Sequence, residues 1–257
     1  MRDIVNDIRT MKIQSGHTIA LESLKYLKQF AEKHGFGSAF NGRVRSILDA
    51  RPTEVMLQNV LKELSKKKTS NKINELMSRI NSMQPKINKN VSKILRGIIM
   101  VHCHSTELNN AIIASKRKVK LVYVTETRPR MQGLITAKEF IKSRVKIKFI
   151  PDSDMGYFMD KVDVVCVGAD AITPKGVINK IGTLPMAAVA RDFKKPFYVV
   201  ANTMKFTRKK VVMESRSAKE VTTKLPKKYV LNPAFDITPW RYVTAVVTEK
   251  GARRRFR

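Results

Sequence analysis

Two side chains in this 257-residue sequence have the types that proton-transfer chemistry needs, a thiol at Cys103 and a carboxylate at Asp170. Cys103 lies in Val101-His102-Cys103-His104-Ser105 and Asp170 in Val167-Gly168-Ala169-Asp170-Ala171-Ile172, each directly after an apolar run. A thiol between two histidines admits three readings: a zinc ligand, a small packed side chain, or a reactive group. No second Cys/His pair has ligand spacing, which argues against zinc. Free cysteine is among the most buried residue types. A helix beginning at Ser105 would offer amides and a dipole that lower the thiol's pKa and attract an anion. Asp170 either projects into a crevice or caps the next turn, and Gly168 before it permits close backbone approach. The segment 176–183, Gly-Val-Ile-Asn-Lys-Ile-Gly-Thr, sets the carboxamide of Asn179 and the ammonium of Lys180 between glycines, as a polar ligand clamp would, and Lys205 follows another apolar run. Arg128 offers a planar fork for phosphate or carboxylate, or else an ion pair to Glu126. Cys166 stands inside an apolar run and reads as core. His17 and His34 fall in helical pattern and read as satisfied or exposed.

These residues need a scaffold. Apolar runs of strand length recur from Gly97 onward, at 97–101, 119–126, 145–150, 162–168, 196–201 and 244–248. Runs that are apolar throughout suit a sheet covered on both faces. Helix-like pieces alternate with them, around 105–116, 135–144, 155–161 and 183–193, which predicts a parallel, doubly wound sheet. In that architecture ligands sit outside the carboxyl ends of the strands, where Cys103 and Asp170 fall. The first 95 residues lack such runs. Apolar residues there recur at helical spacing, as in 18–33 and 54–67, so 1–95 reads as a helical domain and 96–257 as a Rossmann-like α/β domain. Pro85 and its polar neighbours mark the end of a helix in this reading.

Apolar residues make up 43% and charged residues 28%, a globular rather than a disordered composition. Two cysteines are too few for a disulfide framework, and the opening residues have no apolar signal region. No apolar stretch is long enough to span a membrane, so the expected setting is cytoplasmic. Fifty-one Lys and Arg against 21 Asp and Glu leave a net charge of +30, which attracts any anion. The charge is spread almost evenly along the chain. A dedicated nucleic-acid module concentrates it, so the basic runs 66–68, 208–210 and 253–255 read as solvated surface. The Gly-rich dinucleotide fingerprint is missing after the first strand, which argues against a dehydrogenase.

The segments VHCHS, VTETRPRMQG, VGADAI, GVINKIGT, MKF and NPAFDITP, in this order, resemble the archaeal ribose-1,5-bisphosphate isomerases. That group lies within the family of methylthioribose-1-phosphate isomerases and the alpha, beta and delta subunits of translation initiation factor 2B. The resemblance implies a sugar-phosphate aldose-ketose isomerase, with ribose 1,5-bisphosphate as substrate, without a cofactor or metal, and as a homo-oligomer, dimer or hexamer. It puts Cys103 and Asp170 on the catalytic pair, with Cys103 as thiolate base and Asp170 as proton donor. It puts Gln14, Ser15, Gly16, Arg51, Ser105, Asn179, Lys180 and Lys205 on substrate-binding positions, and Arg128 falls within one of its motifs. Two positions depart from the pattern: Gln14-Ser15-Gly16-His17 replaces an Arg-Gly-Ala-Gly phosphate loop, and Thr106 replaces a lysine. Each exchanges a charge-assisted bond for a weaker neutral one. The competing reading is a regulatory subunit in translation initiation, with an initiation factor or RNA as partner. The regulatory subunits generally lack one or both of the cysteine and aspartate kept here.

Overall fold

The computed structural model describes residues 3–10, 12, 13, 15–254 and 256; Gln14 of the altered phosphate loop and Arg255 of the basic tail lie outside the described residues. The chain forms two compact units, Met1–Met83 with Met204–Phe206, and Gln84–Thr203 with Thr207–Arg257.

The first unit is helical: α1 (Ile4–Arg9), α2 (Gly16–His34), α3 (Ser38–Ala50), α4 (Val55–Lys66) and the first part of α5 (Ser70–Val91). Spacing explains the packing. Ile19, Leu24, Leu27 and Phe30 line one face of α2, and Val60, Leu61 and Leu64 line α4, all buried. Each such side chain removed from water contributes about 1.5–3 kcal/mol. The segment Met204–Phe206 joins this unit through Asn59, whose Nδ2 donates to the Met204 carbonyl (2.7 Å) and the Phe206 carbonyl (3.1 Å).

Pro85 does not end a helix as its sequence context suggested. It lies inside α5, which runs on to Val91. Proline removes one backbone donor, yet Ile73, Leu76, Ile80, Met83, Ile87 and Val91 keep helical spacing across it and all are buried. The continuous apolar stripe outweighs the local break.

The second unit is built on a seven-stranded sheet. In chain order its elements are β1 (Gly97–His102), α6 (Thr106–Ala114), β2 (Val119–Thr125), α7 (Gly133–Lys142), β3 (Ile147–Ile150), the single turn α8 (Met155–Phe158), β4 (Val164–Val167), β5 (Ala171–Thr173), β6 (Gly176–Lys180), α9 (Thr183–Asp192), β7 (Phe197–Val200), β8 (Phe235–Thr238), β9 (Ala245–Thr248) and β10 (Gly251–Arg253). The sheet order is β10-β9-β7-β4-β1-β2-β3, parallel throughout except for the β9–β10 hairpin. The six apolar runs of the sequence are the six parallel strands. All four residues of β4 and the last four of β1 are buried, as a sheet covered on both faces requires. The helical N-terminal part and the Rossmann-like, doubly wound sheet are therefore the fold expected.

Periodicity did not reveal a second, antiparallel sheet, β5-β6-β8. Its strands have three to five residues, too short for an alternation to register. The stretch read as a ligand clamp, 176–183, is strand β6 followed by the turn into α9. Among the described residues no helix is long and apolar enough to cross a membrane.

Candidate active site

Strand β1 pairs with β2 on one side and β4 on the other, so the chain reverses its winding between β1 and β4. A crevice opens at such a switch point, at the carboxyl ends of the strands. His102, the last residue of β1, is in register with Val167, the last of β4. Cys103 and Gly168 therefore leave the sheet side by side. Gly168 has a specific reason to be glycine, because a Cβ there would stand 2.6 Å from the Cβ of Ser105. Ser105 caps α6, its Oγ accepting from the Leu108 N–H at 3.4 Å.

Cys103, Asp170 and Lys180 form one electrostatic group. Burial pushes the Cys103 thiol up to about 11, the nearby Lys180 ammonium pulls it down, and the Asp170 and Asp152 carboxylates push it up again. The helix start after Cys103 does not make the thiol acidic, contrary to the sequence-based expectation. Although the residue as a whole is only half-buried, removal of the sulfur from water outweighs the Lys180 charge and the backbone bond from His104, which both lower the thiol. Lys180 is buried, which lowers its pKa, against the opposing pull of Cys103 and Asp170. Its Nζ lies 5.1 Å from the centroid of the Phe235 ring. Cys166 behaves differently from Cys103. It is wholly buried inside β4, burial raises its thiol to about 12, and no other group contributes to that shift.

The two histidines flanking Cys103 are both occupied. His102 Nε2 faces the Ile181 carbonyl (2.8 Å), which can only accept, so Nε2 carries the proton and Nδ1 accepts from Thr125 Oγ1 (2.7 Å). Burial lowers its pKa and the Lys180 charge adds to that, overcoming the Ile181 bond and Asp152, so it is neutral at physiological pH. His104 Nε2 meets Glu139 Oε1 at 3.0 Å. Burial alone would raise Glu139, but His104 and the Asn109 amide lower it overall. No group of three or more His, Cys, Asp or Glu side chains is placed to hold a metal among the described residues.

The other candidates are distributed as follows. Asn179 is buried and its Nδ2 donates to Thr183 Oγ1 (2.9 Å). Arg128 is exposed and its guanidinium donates to the Val221 carbonyl (3.2 Å) rather than pairing with Glu126. Its neighbour Arg130 makes the ion pair, with Glu220 at 3.1 Å. Ser15, Gly16, Arg51 and Lys205 belong to the helical unit. There Ser15 Oγ caps α2 through the Thr18 N–H (3.2 Å), Gly16 is buried as the first residue of α2, Arg51 closes α3 and Lys205 is buried.

Sequence reasoning missed Asp152, two residues beyond the end of β3, and Asp236, on β8. Asp236 Oδ2 accepts from the N–H groups of Gly182 (2.9 Å) and Leu184 (3.0 Å), holding the turn that follows Lys180. Gly182 has φ +103, and a Cβ there would stand 2.8 Å from His102 Nε2, so this turn requires glycine. Burial raises Asp236 from 3.8 to about 6, against the lowering effect of its backbone bonds. The folded protein thus binds this proton more tightly than the unfolded chain. The corresponding stability is full below about pH 4 and is lost as pH rises through 6. In thermal melts the wild type should therefore gain Tm relative to Asp236→Asn as pH falls from about 7 to about 4. Parallel curves for the two proteins would contradict this.

A doubly wound sheet with a thiol, a carboxylate and a buried ammonium at its switch point defines a Rossmann-like α/β protein. The chain belongs to the Initiation factor 2 subunit family, which matches residues 12–254. It is 35% identical to the ribose 1,5-bisphosphate isomerase of Archaeoglobus fulgidus, over 95% of this chain and 87% of that protein. To the enzyme of the same name from Methanocaldococcus jannaschii it is 34% identical, over 98% and 90%. Among solved structures it is similar to the translation initiation factor eIF-2B of Pyrococcus horikoshii OT3, with a TM-score of 0.86 and 26% identity over 97% of this chain and 95% of that one. Isomerases and initiation-factor subunits thus share this fold, and the more similar sequences carry the isomerase name.

Proposed function

We propose that this protein converts ribose 1,5-bisphosphate to ribulose 1,5-bisphosphate, an aldose-to-ketose isomerisation. The observation that carries the reading is the coupling of Cys103, Asp170 and Lys180 at the switch point between β1 and β4. Two titrating groups and a fixed positive charge are what moving hydrogen from C2 to C1 needs.

A thiol pushed up to about 11 holds its proton at neutral pH, so Cys103 starts as the acid rather than as a thiolate base. It gives that proton to the ring oxygen as the bond from C1 to that oxygen breaks. The thiolate left beside Lys180 then takes the proton from C2, forming an enol phosphate, and returns it to C1. The Asp170 carboxylate accepts the proton of the C2 hydroxyl as the ketone forms and passes it to the sulfur, which resets the pair. The ring oxygen and C1 each gain one proton, and C2 and its hydroxyl each lose one, so the sequence balances. Asn179 and Ser105 would contact hydroxyl or phosphate oxygens beside this pair. As its relatives' substrate implies, the partner is a free sugar phosphate, and we place the reaction in the cytoplasm, in a homo-oligomer that sedimentation can size.

Incubation with ribose 1,5-bisphosphate, read by carbon NMR for a ketone at C2, tests the reading directly. Ketose should accumulate; an unchanged aldose signal at high enzyme concentration overturns it. Lys180→Met isolates the ammonium. A charge-assisted bond is worth about 1.5–3 kcal/mol, so kcat/KM should fall about ten- to a hundredfold. The Cys103 thiol should titrate at higher pH, because the charge that lowers it is gone. An unchanged kcat/KM would remove Lys180 from the site.

A further inference from the structure

Cys103 has φ +67, a left-handed conformation that a residue with a side chain rarely adopts. Something must hold it. Its N–H donates to Thr127 Oγ1 at 2.9 Å, and the Thr127 hydroxyl in turn donates to the Thr125 carbonyl at 3.3 Å. Thr127 is itself left-handed, at φ +61, which is still less common for a β-branched residue, and it is completely buried. The next link is Asp152, at the carboxyl end of β3. Its Oδ1 accepts from the Thr127 N–H (2.8 Å) and its Oδ2 from the Arg128 N–H (2.7 Å). The same Oδ1 stands 3.8 Å from His102 Nδ1. Thus one carboxylate holds two consecutive backbone donors in the loop after β2, and that loop presents the hydroxyl that receives the Cys103 N–H.

We propose that Asp152 is a positioning residue for Cys103, acting through Thr127: by fixing the backbone of Thr127 and Arg128, it keeps the loop after β2 in the conformation that aims the thiol toward Asp170 and Lys180. The inference rests on the isomerase reading for its kinetic consequence, but not for its geometric one. Strain of this kind survives only where the surroundings over-determine it, and two left-handed residues joined by a hydrogen bond mark such a place. A carboxylate can accept from both N–H groups at once. An asparagine cannot, since its amide nitrogen would face a donor. Groups that support a functional side chain in this way are typically worth about ten- to a hundredfold in activity.

The charged groups in the field of the Cys103 thiol are Lys180, Asp170 and Asp152. In Asp152→Asn, kcat for ribose 1,5-bisphosphate should fall about tenfold or more with KM changed less than about threefold. The pH midpoint for alkylation of Cys103 by iodoacetamide should also move down, because a negative charge near the sulfur is gone. Buried Cys166 serves as the internal control and should stay unmodified. Thr127→Ser, which keeps the hydroxyl, should keep the wild-type kcat, whereas Thr127→Val should lose it as Asp152→Asn does. The Thr127 pair carries the test if Asp152→Asn fails to fold. Wild-type kcat in Asp152→Asn or Thr127→Val overturns the proposal, as does an unmoved Cys103 midpoint in folded Asp152→Asn. If the wild type makes no ketose, the isomerase reading fails, while the alkylation midpoint still decides the role of Asp152.

Discussion

Cys103→Ser should lower kcat for ribose 1,5-bisphosphate by about 10² to 10⁴, the range that one general acid or base contributes. The substitution keeps the size of the side chain and the backbone bond to Thr127 Oγ1, so the left-handed turn can persist. What it removes is acidity. Burial already pushes the thiol up to about 11, and a serine hydroxyl in the same surroundings ionises far less readily. Even with Lys180 beside it, no useful concentration of the oxyanion forms to take the C2 proton. The fold should be kept, with a stability loss of at most about 1–3 kcal/mol, the cost of placing a hydroxyl where the buried sulfur stood. Turnover close to wild type by the NMR assay would take Cys103 out of the mechanism.

Asp170→Asn should produce a comparable loss, again about 10² to 10⁴ in kcat. The carboxylate is the group that accepts the C2 hydroxyl proton in the proposed sequence, and a carboxamide cannot. A second effect has a defined sign. The Asp170 charge raises the Cys103 thiol, so its removal should move the alkylation midpoint of Cys103 below that of the wild type. A more acidic thiol in a slower enzyme separates lost proton transfer from lost thiol reactivity. A sharp fall in Tm with kcat preserved in the folded fraction would instead make Asp170 a structural cap of the turn after β4.

The parallel strands were legible because they are predominantly apolar runs, the pattern left by burial on both faces; β4 with four buried residues out of four is the clearest case, and the edge strand β3, interrupted by Lys148, the weakest. Cys103 and Asp170 could be picked out by the same logic, as polar residues directly after such runs. Applied to β3, that logic would have found Asp152, which follows Ile150 and Pro151; its role was hidden because its partners are backbone N–H groups, which carry no residue identity. Pro85 misled for the opposite reason. Its local signal is strong, but a buried stripe from Ile73 to Val91 holds the helix through it. The antiparallel strands β5, β6 and β8 left no trace, because strands of three to five residues are too short to show a period, and β6 pairs with β8 across more than fifty positions.

Residue order alone was enough to determine a helical segment followed by a doubly wound sheet, the strand ends where chemistry belongs, and the thiol and carboxylate that stand there. Hydrophobic periodicity is local, and each of those inferences needs only neighbouring residues. Only the tertiary structure decided that Lys180 faces both groups, that the Cys103 thiol is high rather than low, and that His102 is neutral and tied to the Ile181 carbonyl. A pKa is set by desolvation and by charges brought close from β4, β6 and the end of β3, and those distances do not exist until the chain has folded.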